Sequence, residues 1–417
     1  MRHLPDAWVT VLDIEFARED LFVEDSWNMF FSSYRLEGGS HKSLVPSLDD
    51  SSLRQIAASR IISCLENVHT KFPQASDDYQ TVHTQELFRE ENVREFTEAY
   101  FEHTVRPRSR VVLKTTFNLE SISTPLLLSI LIMGASCGNA DNAKSQAVKY
   151  ADMAEFAVFE DSRFLQLVYR KGDLEQDPLT KGDLEIIQAA LLVILIQIAS
   201  PNAESRRRIR IQRYSALVCV ARATSLTQIK NRWHDSNSPL RHAEFLMNES
   251  CIRIMASISM IDTHFIMFFN QPPALIPQEL NYDLPAEEDG IDISDNVTWE
   301  AWARNERKYQ RPPIVSQFLQ ELMSDDWSGP EDPRFDNLNV FALFIIISGR
   351  FSRSAPIYFL LADDDKRSIE SYLEFGPVFV TCLVRSVKWI GVFKGGWLNG
   401  NDCNRGSTKM KSIEQDS

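Results

Sequence analysis

The sequence predicts an all-α fold, an irregular multi-helix domain whose helices are joined by proline-containing connections. Three observations carry this. Apolar residues recur at three- and four-residue spacing along most of the chain, the period of one face of an α-helix. Strand-like alternation of apolar and polar residues is scarce. Start and stop residues stand where helices need them, with polar side chains or proline before the apolar runs and glycine after them.

In chain order, residues 1–48 are mixed in composition and close near the Gly/Ser-rich patch EGGSHKS, so they are expected as a poorly ordered leader. The helical region is expected over 49–394. In DDSSLRQIAASRIISCLENV the first polar residues offer caps, and Leu53, Ile56, Ala57, Ile61, Cys64, Leu65 and Val68 form an amphipathic stripe. A second helix is expected over 84–101, with Leu87, Val93, Phe96 and Tyr100 on related faces. HTVRPRSRVVLKTTFNLE is broken by Pro107 and rich in β-branched residues, and reads as an extended connection. STPLLLSILIMGASCG places Thr124 as an N-cap, Pro125 at the first helical position and Gly138 near the end of a buried helix. Further helices are expected over 143–158, 184–199, 205–224, 243–269, 315–323, 337–348, 366–373 and 378–392. The Gly/Asn/Ser/Lys-rich stretch 395–417 is expected as a disordered tail.

Composition bounds the function. The 417 residues allow two or three units on length alone, and a 44% hydrophobic content is ordinary for a globular protein. A formal charge of −14 means that the chain as a whole is repelled by DNA phosphates and anionic lipid, so any nucleic-acid contact needs a local basic patch. The longest apolar runs, at 126–135, 189–199 and 340–348, fall short of the ~20 residues of a bilayer-spanning helix. No membrane span and no secretory signal are therefore expected. The six cysteines, Cys64, Cys137, Cys219, Cys251, Cys382 and Cys403, include no C-x2-C or C-x4-C pair, and no histidine pair makes H-E-x-x-H. No metal site is expected in this chain, and a reducing compartment fits it. The sequon NVT at Asn296 reads as a chance match.

Four features are candidate carriers of chemistry. GASCG, Gly134–Gly138, fits the nucleophile-elbow pattern with Ser136 as nucleophile, but that elbow needs a strand before the serine, and a helix is expected there. RRRIRIQR, Arg206–Arg213, is the most basic stretch. On a helix Arg206, Arg210 and Arg213 share a face, which suits a nuclear-import or phosphate patch; a solvated face is the expectation. Acidic pairs at Asp49–Asp50, Asp325–Asp326 and Asp363–Asp365 lack the further carboxylate of a magnesium motif and read as solvated loops. The fourth feature is ESCIRIMASISMIDTHFIMFFNQPP. There Glu249 and Arg253 lie one turn apart and can pair, and Asp262 falls on the apolar stripe of Cys251, Met255, Ile258, Phe265 and Phe269. Burying a lone ionised carboxylate is costly. Asp262 is thus expected partly buried and bonded to a loop or an arginine, with Pro272–Pro273 ending the helix; an inducer or acid–base cleft is the alternative. No catalytic, cofactor-binding or metal residue is assigned.

Two blocks carry a resemblance. The first is YFEHTVRPRSRVVLKTTFNLESISTPLLLSILIMGA, with Tyr100, Phe101, His103, Pro107, Thr116–Phe117, Pro125 and Gly134–Ala135 in order. The second is the series Glu249, Arg253, Asp262, Pro272–Pro273, Glu279–Leu280, Leu284–Pro285 and Trp299–Ala301. Together they resemble the regulatory (middle homology) domain of fungal zinc-finger transcription factors of the xylanolytic-activator type, over about residues 95–395. The form D-THFIMFFNQPP is most like members that carry a pair of Cys2His2 fingers. The resemblance implies a helical domain that regulates transcription in the nucleus through protein contacts with the transcription machinery or a corepressor, through homodimerisation, or through a small-molecule inducer. It also implies DNA binding and zinc, for which this chain has no finger module; a truncated product or a stand-alone regulatory module is expected. The rivals are a cytoplasmic adaptor and a hydrolase using Ser136.

Overall fold

The computed structural model describes residues 46–349 apart from 76–78, 104–110, 138–140, 171–178, 232–240, 270, 287–289, 292, 294–295, 307–313, 323–341, 343–344 and 347–348. Contacts divide the chain into two units, Met1–Ala355 and Pro356–Ser417, and all described residues lie in the first. The expected tail, and the helices at 366–373 and 378–392, lie outside the described residues.

The Asp50 carboxylate accepts the Ser52 N–H at 2.8 Å and starts helix α1, Ser51–Lys71. This is the capping role that polar side chains play before an apolar run, and Asp49 and Asp50 remain exposed in the loop before the helix, as expected. Ala57, Ile61, Leu65 and Val68 are buried as the stripe predicted, but Ile56 is 56% exposed and does not join it.

The helix expected over 84–101 is two helices, α2 (Thr81–Leu87) and α3 (Glu90–His103). Between them Phe88 is buried, and the Asn92 amide donates to the Leu87 carbonyl at 2.9 Å, satisfying an end of α2. Helix α4 is Thr124–Cys137, so Thr124 is its first residue rather than its cap. The expected helix at 143–158 splits at Tyr150 into α5 (Asp141–Lys149) and α6 (Ala151–Phe159). The Tyr150 hydroxyl is 2.9 Å from that of Thr84, and its ring meets Phe88 edge-on at 5.4 Å. Both breaks therefore face each other, and aromatic packing overrides local helical preference there.

Helix α7 (Ser162–Val168) was not anticipated from the sequence. Helix α8 (Lys181–Ile198) opens on a reciprocal capping box between Thr180 and Asp183. Its apolar residues are buried on nearly every side, because α8 lies at the centre and touches α4, α6, α7 and, further along the chain, the helices below. Where one helix was expected over 205–224, the chain forms α9 (Ala203–Arg208), a π turn (Ile209–Arg213) and α10 (Tyr214–Ala223). Helix α11 (His242–Phe269) matches the expected 243–269. Helix α12 (Asn296–Glu306) was not anticipated, and α13 (Val315–Leu322) was. Helices α10 and α11 complete the packing around α8.

A Cβ on Gly134 would sit 1.9 Å from the carbonyl oxygen of Phe96, so α3 and α4 meet backbone to backbone only because residue 134 has no side chain. A separate apolar cluster of Leu113, Phe245, Leu246, Ala286, Ile291, Trp299 and Ala303 seats α12 on α11. Among the described residues there is no strand, and no helix is long and apolar enough to cross a membrane.

Candidate functional site

Helix α11 is buried around nearly its whole circumference, so the apolar stripe read from the sequence is a minimum description of it. Three acidic or basic side chains inside that burial need partners, and each finds them in the segment that returns along the helix, residues 271–286. Asp262, 2% exposed, accepts the N–H of Ala274 at 3.0 Å and of Leu275 at 3.1 Å. Glu249, fully buried, accepts the Ala286 N–H at 3.1 Å on both carboxylate oxygens and pairs with Arg253 Nε at 2.7 Å. Arg253, 1% exposed, also donates to the Ala286 carbonyl at 3.3 Å. The i, i+4 pair expected on the helix is thus one side of a clamp on the Ala286 backbone.

Between these two anchors, Arg222 of α10 makes a two-pronged pair with Glu279 at 2.8 and 2.7 Å and donates to the Ala274 carbonyl at 2.7 Å. Glu279 in turn accepts the Ile276 N–H at 2.8 Å. Further along, Asp283 accepts the Asn231 N–H at 2.7 Å, and its own N–H donates to the Ile229 carbonyl. Polar side chains here hold irregular backbone against apolar helices, which is what a buried segment outside secondary structure requires.

The electrostatics follow. Burial pushes the Asp262 carboxyl up to about 6, against the lowering effect of the Leu275 and Ala274 N–H groups and of Tyr214. The Tyr214 hydroxyl lies against this carboxylate but donates to the Ile258 carbonyl at 3.0 Å; with one proton, it serves one acceptor at a time. Burial, with the neighbouring Arg210, holds His264 down to about 4, so its ring is neutral at physiological pH. The arrangement immobilises backbone. It presents no nucleophile–base pair and no acid–base pair on an open site, and the expectation that Asp262 is bonded to a loop describes it.

Of the basic run Arg206–Arg213, Arg207 is exposed, but the other four arginines form neither a phosphate patch nor a solvated face. Arg206 is buried and donates to the Ser200 carbonyl at 2.8 Å. Arg208 Nε and Arg213 Nε both reach Oε1 of the fully buried Glu155, at 2.7 and 2.8 Å, and each holds a second acid, Asp152 and Glu160 respectively. Arg210 lies over the Phe269 ring at 4.0 Å. The π turn is the reason. Residues five apart stand well away from each other on an α-helix, whereas i→i+5 bonding widens the turn and brings Arg208 and Arg213 to one acceptor. The signal that was overlooked is the acidic triplet Asp152, Glu155 and Glu160 within the apolar ADMAEFAVFED, which needed buried cations.

Ser136 sits inside α4, not after a strand, and its hydroxyl donates to the Ile132 carbonyl one turn back at 2.8 Å. The elbow geometry is absent and the glycine of the motif serves helix packing instead. Burial raises the thiols of Cys64 and Cys251 to about 11 and about 12. Among the described residues no three His, Cys, Asp or Glu side chains come together as a metal site.

Against known proteins, residues 97–338 match the model of the fungal specific transcription factor domain. A relative, transcription factor verF of Penicillium polonicum, is 27% identical over 211 residues, which cover 49% of this chain and 28% of that protein. The match thus spans little more than a quarter of that relative's length. No solved structure matches the chain. The matched residues run from α3 through the clamped segment to the stretch after α13, and they hold every buried anchor described above, so this chain belongs to the fungal specific transcription factor domain family.

Proposed function

We propose that this chain is the regulatory domain of a fungal transcription factor, acting in the nucleus on RNA polymerase II transcription through protein contacts rather than by catalysis. The observation that carries the reading is the use of the family-pattern residues: Glu249, Arg253, Asp262 and Glu279 are all spent on holding backbone, within a domain whose family is defined by transcription factors. An acidic chain with four of the five arginines of its basic run paired within the fold suits protein partners, such as the transcription machinery or a corepressor, better than DNA phosphates. Zinc, and the direct reading of DNA that the family implies, are assigned to groups other than the described residues. Fusing the full chain to a heterologous DNA-binding module at a reporter promoter in a fungal host should raise or lower transcription at least severalfold relative to the module alone. A reporter indistinguishable from the module alone would sink this reading.

A further inference from the structure

One concave feature lies apart from the clamped segment. A cleft of about 220 Å³ opens between the start of α8, the connection at 111–122, the start of α4 and the first turns of α11. Its walls are apolar: Val112, Phe117, Ile122, Leu126, Leu184 and Met247. At the rim Lys181 is spoken for by the Ser121 hydroxyl at 2.9 Å and by Glu185 at 3.6 Å, and Glu185 also accepts the Ser123 N–H at 2.8 Å. A charged ligand would have to break this pairing, so the rim favours a neutral one. On the wall stands Gln188, 3% exposed, between the apolar Ile187 and Ala189 of α8. Its Nε2 donates to the Val111 carbonyl at 2.8 Å, which fixes the amide and leaves Oε1 as the acceptor it offers the cleft.

We propose that this cleft binds a small, neutral, flat molecule that carries one N–H or O–H donor for Gln188 Oε1. An apolar cavity of ~150 Å³ takes a benzene-sized molecule; scaled to this cleft, the ligand has about nine non-hydrogen atoms. Such sites, mostly apolar with one or two placed polar groups, are the usual form of small-molecule recognition. The inference deepens the regulatory reading by giving the domain an inducer-sized site, and it rests on that reading only for its consequence.

Indole has the stated size, shape and donor, and benzofuran has the same shape without the donor. Calorimetric titration of the full chain should give saturable indole binding with Kd about 0.1–1 mM, the range expected for so few atoms. Benzofuran should bind roughly threefold or more weakly, the worth of one hydrogen bond. Ala243 is exposed at the edge of the cleft in the first turn of α11, so Ala243→Trp covers the opening without entering the core and should abolish binding at an unchanged melting temperature. No saturable indole binding, or indole binding undiminished in a folded A243W protein, overturns the site; equal affinity for indole and benzofuran overturns the Gln188 assignment. Absence of binding leaves the tethered-reporter result untouched, whereas binding in a chain whose tethered reporter is silent supports the site and removes its regulatory consequence.

Discussion

Asp262 joins helix and returning segment through two backbone N–H groups, and its titration makes that joint measurable. The folded carboxyl at about 6 lies above the ~3.9 of an unfolded aspartate. Between those values the folded chain binds more protons than the unfolded one, so this residue's contribution is full below about pH 4 and is lost as pH rises through 6. Replacing it with asparagine removes that slope. The stability difference between the parent and Asp262→Asn, read from denaturant midpoints at pH 4, 5.5 and 7, should move against the parent by ~1–3 kcal/mol across the range. A pH-independent difference would contradict the assignment. His264 acts with the opposite sign in the same window: held down to about 4, it stabilises above the usual histidine value and that contribution is lost as pH falls. The comparison between the two proteins, not the parent's curve alone, therefore isolates Asp262. That Asp262 needed a partner was legible from its place on an apolar helix. That the partners are Ala274 and Leu275, twelve and thirteen residues on, was not, because backbone N–H groups leave no mark in composition.

Among the elements, the α3–α4 contact and the π turn are the places where one residue sets a helix position. Gly134→Ala drives a methyl group to 1.9 Å from the Phe96 carbonyl oxygen, a backbone atom that cannot swing aside, so α3 and α4 must separate. A loss of ~2–4 kcal/mol is expected, at the upper end of overpacking costs, measured by chemical denaturation; a loss under ~0.5 kcal/mol would show that the helices part freely. Deleting Ile211, which is exposed, removes the extra residue of the π turn and rotates Arg208 away from Glu155 relative to Arg213. Glu155 is fully buried, so the loss of one cation should destabilise by ~2–4 kcal/mol, visible as a drop in thermal midpoint. A deletion as stable as the parent would mean that the π turn does not set this network. Helix periods were legible for α1, α4, α8, α11 and α13, and the cap for α1 alone, since Thr124 proved to be the first residue of α4 and the Thr180–Asp183 box precedes the expected start of α8. The breaks at Phe88 and Tyr150, and the π turn, answer to side chains on other helices, and single-helix periodicity runs straight through them.

Taken whole, the chain carries a net charge of −14, and Arg206 and Arg253 are buried among the described residues. In a gel-shift assay at physiological salt, the full chain should give no specific complex with promoter DNA, since Arg206, Arg208, Arg210 and Arg213 are committed to Ser200, Glu155, Asp152, Glu160 and Phe269, and of the run's arginines only Arg207 faces solvent. Tight, sequence-selective binding would place DNA recognition in these residues after all. The sequence by itself determined the all-α class, the main helices and the blocks that mark the family, because these depend on residue spacing along one chain segment. Only the tertiary structure decided that four of the run's five arginines pair within the fold, that Ser136 belongs to a helix, that Gly134 permits a backbone contact and that Glu249, Arg253 and Asp262 clamp residues 274–286. Those outcomes depend on which distant group a buried charge or carbonyl meets, and the cost of burying it unpaired is what makes the meeting obligatory.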